Sequence, residues 1–315
     1  MVSLVWIRRD LRLHDHAALT EALASEGTIQ PVFIFDTDVL ARFDNPHDRR
    51  LSFIARTLGH VHEQLKRKDG GMLVLHGSAK KIVPELAKAL GVQKVVAAED
   101  YEPDAIARDE VVAKKLGDRL KLVKDHLIFT PHEVLKGDGE PFRVFTPYSK
   151  AWHAKLTPTD YAECKVKDKG RYADFHASAK FAKEAALSVL DASQPKVMLE
   201  QIGYKFVKED YWQVDDAQKR LKQWAGKMGN YANTRDMVGQ EGTSQLSPYL
   251  RFGLVSVREC VRAAMDAGRN NGTQTWIKEL IWREFYAMIL FHFPDSAGKE
   301  WNEKYRDMHW PGKDA

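Results

Sequence analysis

Residues 2–19 read VSLVWIRRDLRLHDHAAL, a short apolar run followed by a polar loop and the start of a helical pattern. The same alternation continues over the first 130 residues, with apolar runs at 29–35, 72–76, 94–98 and 120–124 and helical patterns at 17–24, 48–68, 80–90 and 103–116. Buried-type strands that alternate with helices form parallel sheets covered on both faces. The sequence therefore predicts an α/β domain over residues 1–130, built on a doubly wound parallel sheet of five strands.

The pattern changes after residue 130. Over residues 131–214 the periodicity fades, prolines interrupt the chain and Lys-rich stretches follow. Such a segment is typical of a long connector that lies over the surface. Over residues 215–315 the pattern is helical again, and its clearest helices are at 216–225, 255–268 and 273–293. We therefore predict a connector over 131–214 and an all-helical domain over 215–315.

Composition and charge are those of a globular protein outside membranes. The 315 residues are 44% hydrophobic, and 48 basic against 44 acidic side chains give a net charge of +4. A small basic excess is compatible with an anionic partner, but nucleic-acid binding depends on clustered charge. No window has the roughly 20 apolar residues of a membrane span, and charge follows the first apolar run where a signal peptide would stay apolar. We expect a cytoplasmic protein.

Several kinds of site find no support in the sequence. Cys164 and Cys260 lie far apart, which argues against a disulfide framework or a zinc site. His14 and His16 have no third ligand at a useful spacing, so we predict no metal. The glycine-rich phosphate loops of dinucleotide-binding and P-loop folds are absent, and so is the nucleophile motif of serine hydrolases.

Hydroxyl and amide side chains gather in EGTSQLS, residues 241–247. Thr243, Ser244 and Ser247 precede a helical stretch at Pro248, and donors near a helix N-terminus suit a phosphate group. The alternative is an ordinary helix start, with Ser247 as the N-cap and Pro248 at the first helical position. Local chemistry by itself favours the alternative.

The segment WIKELIWREFY, residues 276–286, predicts a helix with an unusual face. Three- and four-residue spacing places four side chains on one side, namely Glu279, Trp282, Arg283 and Tyr286. Aromatic rings with an arginine suit stacking on a flat ring and contact with a phosphate. The alternative is an exposed salt-bridging face with two aromatic side chains at its border.

The loop after the first strand is a third candidate. Ligands of α/β sheets bind at the carboxyl ends of strands, where residues 8–16 supply arginines, aspartates and histidines. The alternative is a charged loop in which Asp15 caps the next helix.

Four segments together resemble the photolyase/cryptochrome family. They are VWIRRDLRLHDHAAL at 5–19, FRVFTPYSKAW at 142–152, EGTSQLSPYLRFG at 241–253 and WIKELIWREFY at 276–286. They occur in the family's order and with its spacing, and they are most similar to the photolyases that repair cyclobutane pyrimidine dimers. The resemblance implies an α/β domain, a long connector and an all-helical domain that holds FAD.

The resemblance also implies roles for single residues. Positions that contact FAD in the family correspond to Tyr231, Thr243, Ser244, Gln245, Leu246, Ser247, Trp276 and Glu279. Glu279 also corresponds to the acid that hydrogen-bonds the dimer bases, and Trp282 to the aromatic that packs on the flipped dimer, so these two are the catalytic candidates. Contacts with the damaged strand correspond to Arg235, Glu279, Trp282 and Arg283. The implied reaction is electron transfer from light-excited, reduced FAD to the dimer.

Further expectations concern an antenna pigment and the length of the chain. Members of the family often carry methenyltetrahydrofolate or a flavin-type dye, and Asp100 and Glu102 are the nearest match to its contacts. A plain helix start at Pro103 explains these two residues equally well. Members also continue for roughly 150 residues beyond the position of Ala315 (a length implied by the resemblance and comparable to one domain). We therefore expect an incomplete helical domain, an incomplete flavin site, and weakened FAD binding and repair by this chain.

Two other functions stay open. One is a cryptochrome-like photoreceptor without repair activity, and the other is a stand-alone antenna or nucleotide-binding α/β protein. Trp282 and Glu279 together favour repair over signalling, because a photoreceptor has less need of a wall that packs on a lesion. The expected partner is UV-damaged DNA, and the expected form is a monomer.

Overall fold

A largely parallel sheet forms the centre of the first domain. The computed structural model describes residues 1–208 and 211–308. Within them the strands are β1 (Val2–Ile7), β2 (Thr28–Asp36), β3 (Leu73–Gly77), β4 (Lys94–Ala98), β5 (Leu120–Val123) and β6 (Ser188–Leu190). Their order is β5-β4-β1-β2-β3-β6, and the pairings among the first five strands are parallel. The predicted α/β architecture with a largely parallel sheet is confirmed.

The sheet has one strand more than predicted. β6 comes from the segment predicted as a connector and pairs antiparallel with β3, with Leu190 opposite Val74. The sheet is therefore six-stranded and mixed, whereas five parallel strands were predicted. Three residues are too few to show the alternation that identifies a strand in a sequence. β6 covers the edge of β3, which would otherwise present unpaired backbone groups.

Helices flank both faces of this sheet. They are α1 (Ala17–Leu23), α2 (Thr37–Leu40), α3 (Arg49–Lys66), α4 (Ala79–Ala89) and α5 (Pro103–Leu116). Successive side chains of β1 alternate between two cores, as the pleat of a strand requires. Val5 and Ile7 pack with α1 and α3, whereas Leu4 and Trp6 pack with α4 and α5. The four helices predicted in this domain are confirmed to within two residues at either end.

The remaining helices follow β5 in the chain. They are α6 (Phe145–Lys155), α7 (Phe175–Glu184), α8 (Pro195–Gln201), α9 (Asp216–Ala225), α10 (Tyr231–Thr234), α11 (Ser247–Arg251), α12 (Val257–Asp266) and α13 (Asn271–His292). The three predicted helices correspond to α9, α12 and α13. In the predicted connector, Tyr148 and Trp152 of α6 are fully buried in the core, so that segment does not lie only over the surface. Across the described residues, every helix is too short or too polar to cross a membrane.

The loop after β1 touches the helical part of the chain at Gly253. The amide of Leu11 donates to the carbonyl oxygen of Phe252 at 3.0 Å. Gly253 has a φ of +73°, and a Cβ at this position would lie 2.1 Å from the carbonyl oxygen of Arg9. Glycine is therefore required both by the backbone conformation and by the close approach of the two chain segments.

Gly253→Ala should lower the free energy of unfolding by about 2–4 kcal/mol, because left-handed strain and a backbone clash add together. Urea denaturation measures the change. Gly91→Ala, just after the end of α4, is the matched control: its φ is +58°, but a Cβ there meets nothing within 4 Å. The control should lose only about 1 kcal/mol. Equal losses in the two variants would show that the contact at Gly253 is unimportant.

Candidate functional site

Helix α13 carries both predicted catalytic residues, Glu279 and Trp282, together with Trp276 and Arg283. Its first turn is closed by a reciprocal capping box between Asn270 and Thr273. Gly272 lets this turn approach residues 228–230, since a Cβ there would lie 2.1 Å from the carbonyl oxygen of Gly229. The close approach brings α10, which begins at Tyr231, beside α13.

Arg235 and Glu279 meet where α10 packs on α13. Their side chains form an ion pair, and the Arg235 guanidinium lies 5.5 Å from the centre of the Tyr231 ring. Each charged side chain keeps 35% of its surface in solvent. The pair is therefore accessible to a ligand from outside.

Trp282 and Tyr286 form an aromatic wall on the same helix. Trp282 is stacked on Phe145 with ring centroids 3.6 Å apart and planes 4° from parallel. The Tyr286 ring lies 5.4 Å from Trp282 at an angle of 24°, and Tyr286 is 62% exposed. The wall therefore begins at half-buried Trp282, one helical turn from Glu279, and reaches solvent at Tyr286, one turn further.

Arg283 does not join this group. Its guanidinium donates to the carbonyl oxygen of His126 at 2.6 Å, and burial lowers its pKa. Neighbours on an α-helix point about 100° apart, so Arg283 reaches the first domain at His126 while Trp282 faces Phe145, although both side chains are half-buried. The prediction of one shared polar face therefore needs correction at this residue. The structure brings Glu279, Trp282 and Arg235 together and leaves Arg283 apart.

Segment 241–247 and α9 line an open cleft of about 300 Å³. The hydroxyls of Thr243 and Ser244 accept from the Gln245 side chain at 3.0 Å and the Leu246 amide at 3.4 Å. Neither O–H has an acceptor among residues 1–208 and 211–308. Five charged side chains also line the cleft. Lys219, Arg220 and Lys227 are positive, and Asp216 and Glu241 are negative. Asp216 lies 3.8 Å from Arg220 and Glu241 offsets one of the two lysines, so the cleft keeps one net positive charge beside its hydroxyls.

The start of α11 differs from the helix-cap interpretation. The helix begins at Ser247 itself, with Leu246 in the N-cap position and no side-chain capping bond. Gln245 adopts a positive φ of 55°, while Leu246 is buried and Ser247 is exposed. Ser247 is therefore not the N-cap, and the helix-cap interpretation is wrong. The contact of this segment with a phosphate stays a prediction.

Tyr231 and Trp276 lie inside the helical part, on either side of Trp224. The ring of Trp224 is 5.5 Å from Tyr231, edge to face, and 6.4 Å from Trp276. Its indole Nε1 is buried and has no acceptor within the described part of the chain. A buried donor without a partner costs free energy, and Trp224 also lines the cleft of segment 241–247. This N–H is a donor that a ligand in the cleft could satisfy.

Glu284 is a buried acid that sequence reasoning missed. It is 1% exposed and accepts from Trp152 Nε1 at 2.6 Å, from the amide of Phe129 at 3.2 Å and from that of Ile128. Burial raises the pKa of Glu284 to about 7. The residue ties α13 to α6 and to the loop after β5. In the sequence, the one indication of this role was a carboxylate at a position on the apolar side of the helix.

Helix α1, which follows the loop after β1, is capped by a residue other than the one predicted. The N-cap of α1 is His16, whose Nδ1 accepts from the amide of Leu19 at 3.2 Å. Its Nε2 lies 3.2 Å from the carboxylate of Asp10, and burial lowers the pKa of His16. Asp15 instead points at α12, so its prediction as the helix cap is wrong. No group of three His, Cys, Asp or Glu side chains suited to a metal occurs among the residues that the structure describes.

Residues 3–166, just over half of the chain, match the model of one protein family, DNA photolyase. This chain belongs to the DNA photolyase family. It is 28% identical over 332 residues to deoxyribodipyrimidine photo-lyase of Synechococcus sp., covering 99% of this chain and 65% of the relative. It is 30% identical over 323 residues to the protein of that name from Alkalihalophilus pseudofirmus, covering 97% and 63%. The chain thus spans just under two thirds of the photolyases that it matches.

A solved photolyase structure shares the fold. The archaeal photolyase from Sulfolobus tokodaii, solved with two FAD molecules, has a TM-score of 0.75 and 22% identity to this chain. The match covers 100% of this chain and 65% of the archaeal one. At 22% identity, this similarity shows only that the two chains share a fold.

The two predicted antenna residues of this photolyase-family chain are held in ion pairs. Arg9 lies 3.1 Å from Asp100 and 3.0 Å from Glu102, and Arg251 of α11 lies 2.8 Å from Glu102. Burial alone would raise the pKa of Asp100, but the Arg9 guanidinium holds it well below its usual value. Glu102 therefore joins the α/β domain to α11, whereas Asp100 is paired within the α/β domain. Their contact with a pigment stays a prediction.

A small cavity lies at the carboxyl ends of β1 and β2, the edge of the sheet where the sequence predicted a candidate site, and it adds residues of β2 and α5 that the sequence did not indicate. It measures about 100 Å³ and is lined by Trp6, Arg8, Asp36 and Arg108, among others. The guanidinium groups of Arg8 and Arg108 lie 4.8 and 4.9 Å from the centre of the Trp6 ring. This edge is where α/β sheets bind ligands.

Proposed function

We propose that this photolyase-family chain acts in the light-driven repair of cyclobutane pyrimidine dimers in DNA, with reduced FAD as the electron donor. One observation carries the proposal: α13 presents Trp282 and Glu279 at the surface, with Arg235 paired to Glu279. A flat ring, a carboxylate and a guanidinium suit a pair of fused bases and the phosphate beside them.

The residues of the cleft at segment 241–247 fit the phosphates of FAD. Within the described part of the chain, neither the O–H groups of Thr243 and Ser244 nor the indole N–H of Trp224 has an acceptor, and Lys219 and Lys227 add positive charge that Glu241 offsets in part. A cleft of about 300 Å³ is at the lower limit for a ligand site and accounts for the phosphates rather than the whole cofactor. When bound and reduced, FAD supplies the light-driven electron.

Trp282 and Glu279 would hold the dimer after it leaves the helix stack. Trp282 offers a flat apolar contact, and Glu279 offers oxygens to the polar edges of the bases. Arg235, once released from Glu279, can meet a phosphate of the damaged strand. Extrusion costs less for a dimer than for an intact pair, because its stacking and pairing are already weakened. Part of the selectivity would come from this difference.

The relatives support repair over signalling. Those from Synechococcus and Alkalihalophilus are called deoxyribodipyrimidine photo-lyases, and the Sulfolobus photolyase holds FAD. Because the chain spans under two thirds of these proteins, its own repair activity is a proposal. A cryptochrome-like photoreceptor would bind FAD without preferring damaged DNA. A stand-alone antenna protein would bind a pigment without FAD.

The cavity at the carboxyl ends of β1 and β2 is a second candidate place for an antenna pigment, beside Asp100 and Glu102. Both of those carboxylates are already paired with arginines. The arginines of the cavity are likewise paired, since Arg8 and Arg108 lie 2.6 and 3.1 Å from Asp109, and about 100 Å³ leaves room for only part of a dye.

Trp282→Ala should weaken binding of a thymine-dimer oligonucleotide by about 5- to 100-fold, the range for one lost base–aromatic stack. Binding of the undamaged duplex should not change. Fluorescence anisotropy at one fixed salt concentration measures both affinities. Phe181→Ala, which removes a 47% exposed ring from α7, is the control and should change neither. Equal affinity of the wild-type chain for damaged and undamaged DNA would contradict the proposal.

A further inference from the structure

The orientation of Trp282 is set by two other aromatic rings. Phe145, the first residue of α6, lies parallel to Trp282 at 3.6 Å. Both rings meet Phe285 edge-on, at centroid distances of 5.8 and 5.6 Å. Phe285 is buried and packs in turn on Tyr148 at 5.3 Å. A ring anchored in the core therefore holds two partly exposed rings parallel.

This packing restricts the conformations that the partly exposed side chain of Trp282 can adopt. A side chain at a helix surface ordinarily samples several rotamers, and a ligand that fixes one of them loses affinity to the ordering. Phe145 covers one face of Trp282 and leaves no room for rotation toward α6. Tyr286 stacks on Trp282 from the solvent side, 5.4 Å away and 24° from parallel, so a ligand reaches the ring of Trp282 by displacing the 62% exposed ring of Tyr286. A flat ligand thus meets a ring whose direction is fixed beforehand.

We infer that Phe145 is a positioning residue, which sets the orientation of Trp282 for stacking on a pyrimidine dimer. The inference rests on the proposed function and deepens it. Phe145 acts through Trp282 and touches no reacting group. Its position in the chain explains how Phe145 can hold Trp282. Helix α6 begins at Phe145 and is anchored by Tyr148 and Trp152, which are fully buried.

The first test measures the ring of Trp282 without any DNA. The 315-residue chain is labelled with fluorotryptophan, and Trp282→Phe identifies the fluorine NMR resonance of Trp282. Phe145→Leu should shift and broaden that resonance, because the stacked ring is lost. Phe145→Tyr should preserve it. Phe142→Leu is the control, since the Phe142 ring packs on Tyr148 at 5.9 Å in the same segment.

The second test measures lesion preference, the ratio of affinities for dimer-containing and undamaged oligonucleotides. Phe145→Leu should lower this preference about 3- to 10-fold, whereas Phe145→Tyr and Phe142→Leu should stay within about twofold of wild type. In a Trp282→Ala background, Phe145→Leu should have no further effect. Additive losses would show that Phe145 acts independently of Trp282 and would overturn the inference.

The two tests separate the inference from the proposed function. A wild-type chain without lesion preference would contradict the proposed function and, with it, the role in lesion binding, while the NMR spectrum would still show whether Phe145 fixes Trp282. A Trp282 resonance that responds equally to Phe145→Leu and Phe142→Leu would overturn the inference even if lesion preference is present. If Phe145→Leu does not fold, Phe145→Met replaces it, since it fills the space with a flexible apolar chain.

Discussion

Replacing Asp15 with asparagine should lower the free energy of unfolding by about 3–5 kcal/mol, because it removes one charge from a buried ionic cluster. Asp15 accepts from Arg258 Nε at 2.8 Å, from Arg262 Nη2 at 2.6 Å and from Ser256 Oγ at 2.6 Å. Asp15 and Arg258 are both buried. Asparagine has the same size as aspartate and tolerates the φ of +43° at this position, so the lost free energy of unfolding measures the effect of the Asp15 charge.

A surface pair provides the matched control for this experiment. Glu63→Gln removes the partner of Lys66, 3.1 Å away and exposed, and should cost less than about 0.5 kcal/mol.

Burial would raise the pKa of Asp15, but Arg258 and Arg262 hold it well below its ordinary value of 3.8. The stabilisation is therefore present above about pH 4 and is lost as the pH falls below it. Urea denaturation in which Asp15→Asn costs no more than the control near neutral pH would contradict a role for the cluster.

Glu284→Leu should destabilise the fold by about 3–5 kcal/mol, since it leaves three buried donors without an acceptor. These donors are the indole of Trp152 and the amides of Ile128 and Phe129. Glu284→Gln keeps one acceptor oxygen at the same place and should lose about half as much. Urea denaturation of the three proteins side by side measures both losses.

The pH dependence of Glu284 has a definite sign. Burial raises its folded pKa to about 7, above the ordinary value of 4.5. The folded chain therefore binds this proton more tightly than the unfolded chain does. The advantage of wild type over Glu284→Leu should be largest below about pH 4.5 and should decline as the pH rises through 7. An advantage that grows over this range would show that the buried carboxylate is stabilised by its donors more than it is destabilised by burial.

Much of the fold could be predicted because its main signals are local. Buried parallel strands appear as short apolar runs, and α3, α5, α12 and α13 show three- and four-residue spacing. β6 could not be predicted, since three residues carry no period and its position depends on the free edge of β3. The same limit applies to α6, whose two core aromatics are four residues apart in a stretch broken by prolines.

The candidate site was predictable in part for the same reason. Helical spacing placed Glu279 and Trp282 together, but the pairing of Arg235 with Glu279 joins residues 44 positions apart. The inward turn of Arg283 depends on a carbonyl group of the first domain, and the stack of Phe145 on Trp282 depends on how α6 packs against α13. Contacts of this kind arise from tertiary packing, which no local pattern encodes.

The central claim, light-driven repair with FAD, is tested most directly by illuminating a thymine-dimer oligonucleotide with the 315-residue chain, excess FAD and a reductant. Dimer content is followed over time, with a dark sample and Trp282→Ala as controls. We expect dimers to disappear only in light, only with FAD present, and more slowly with Trp282→Ala. Dimers that persist in light, while the absorption spectrum shows reduced FAD bound to the chain, would contradict the claim.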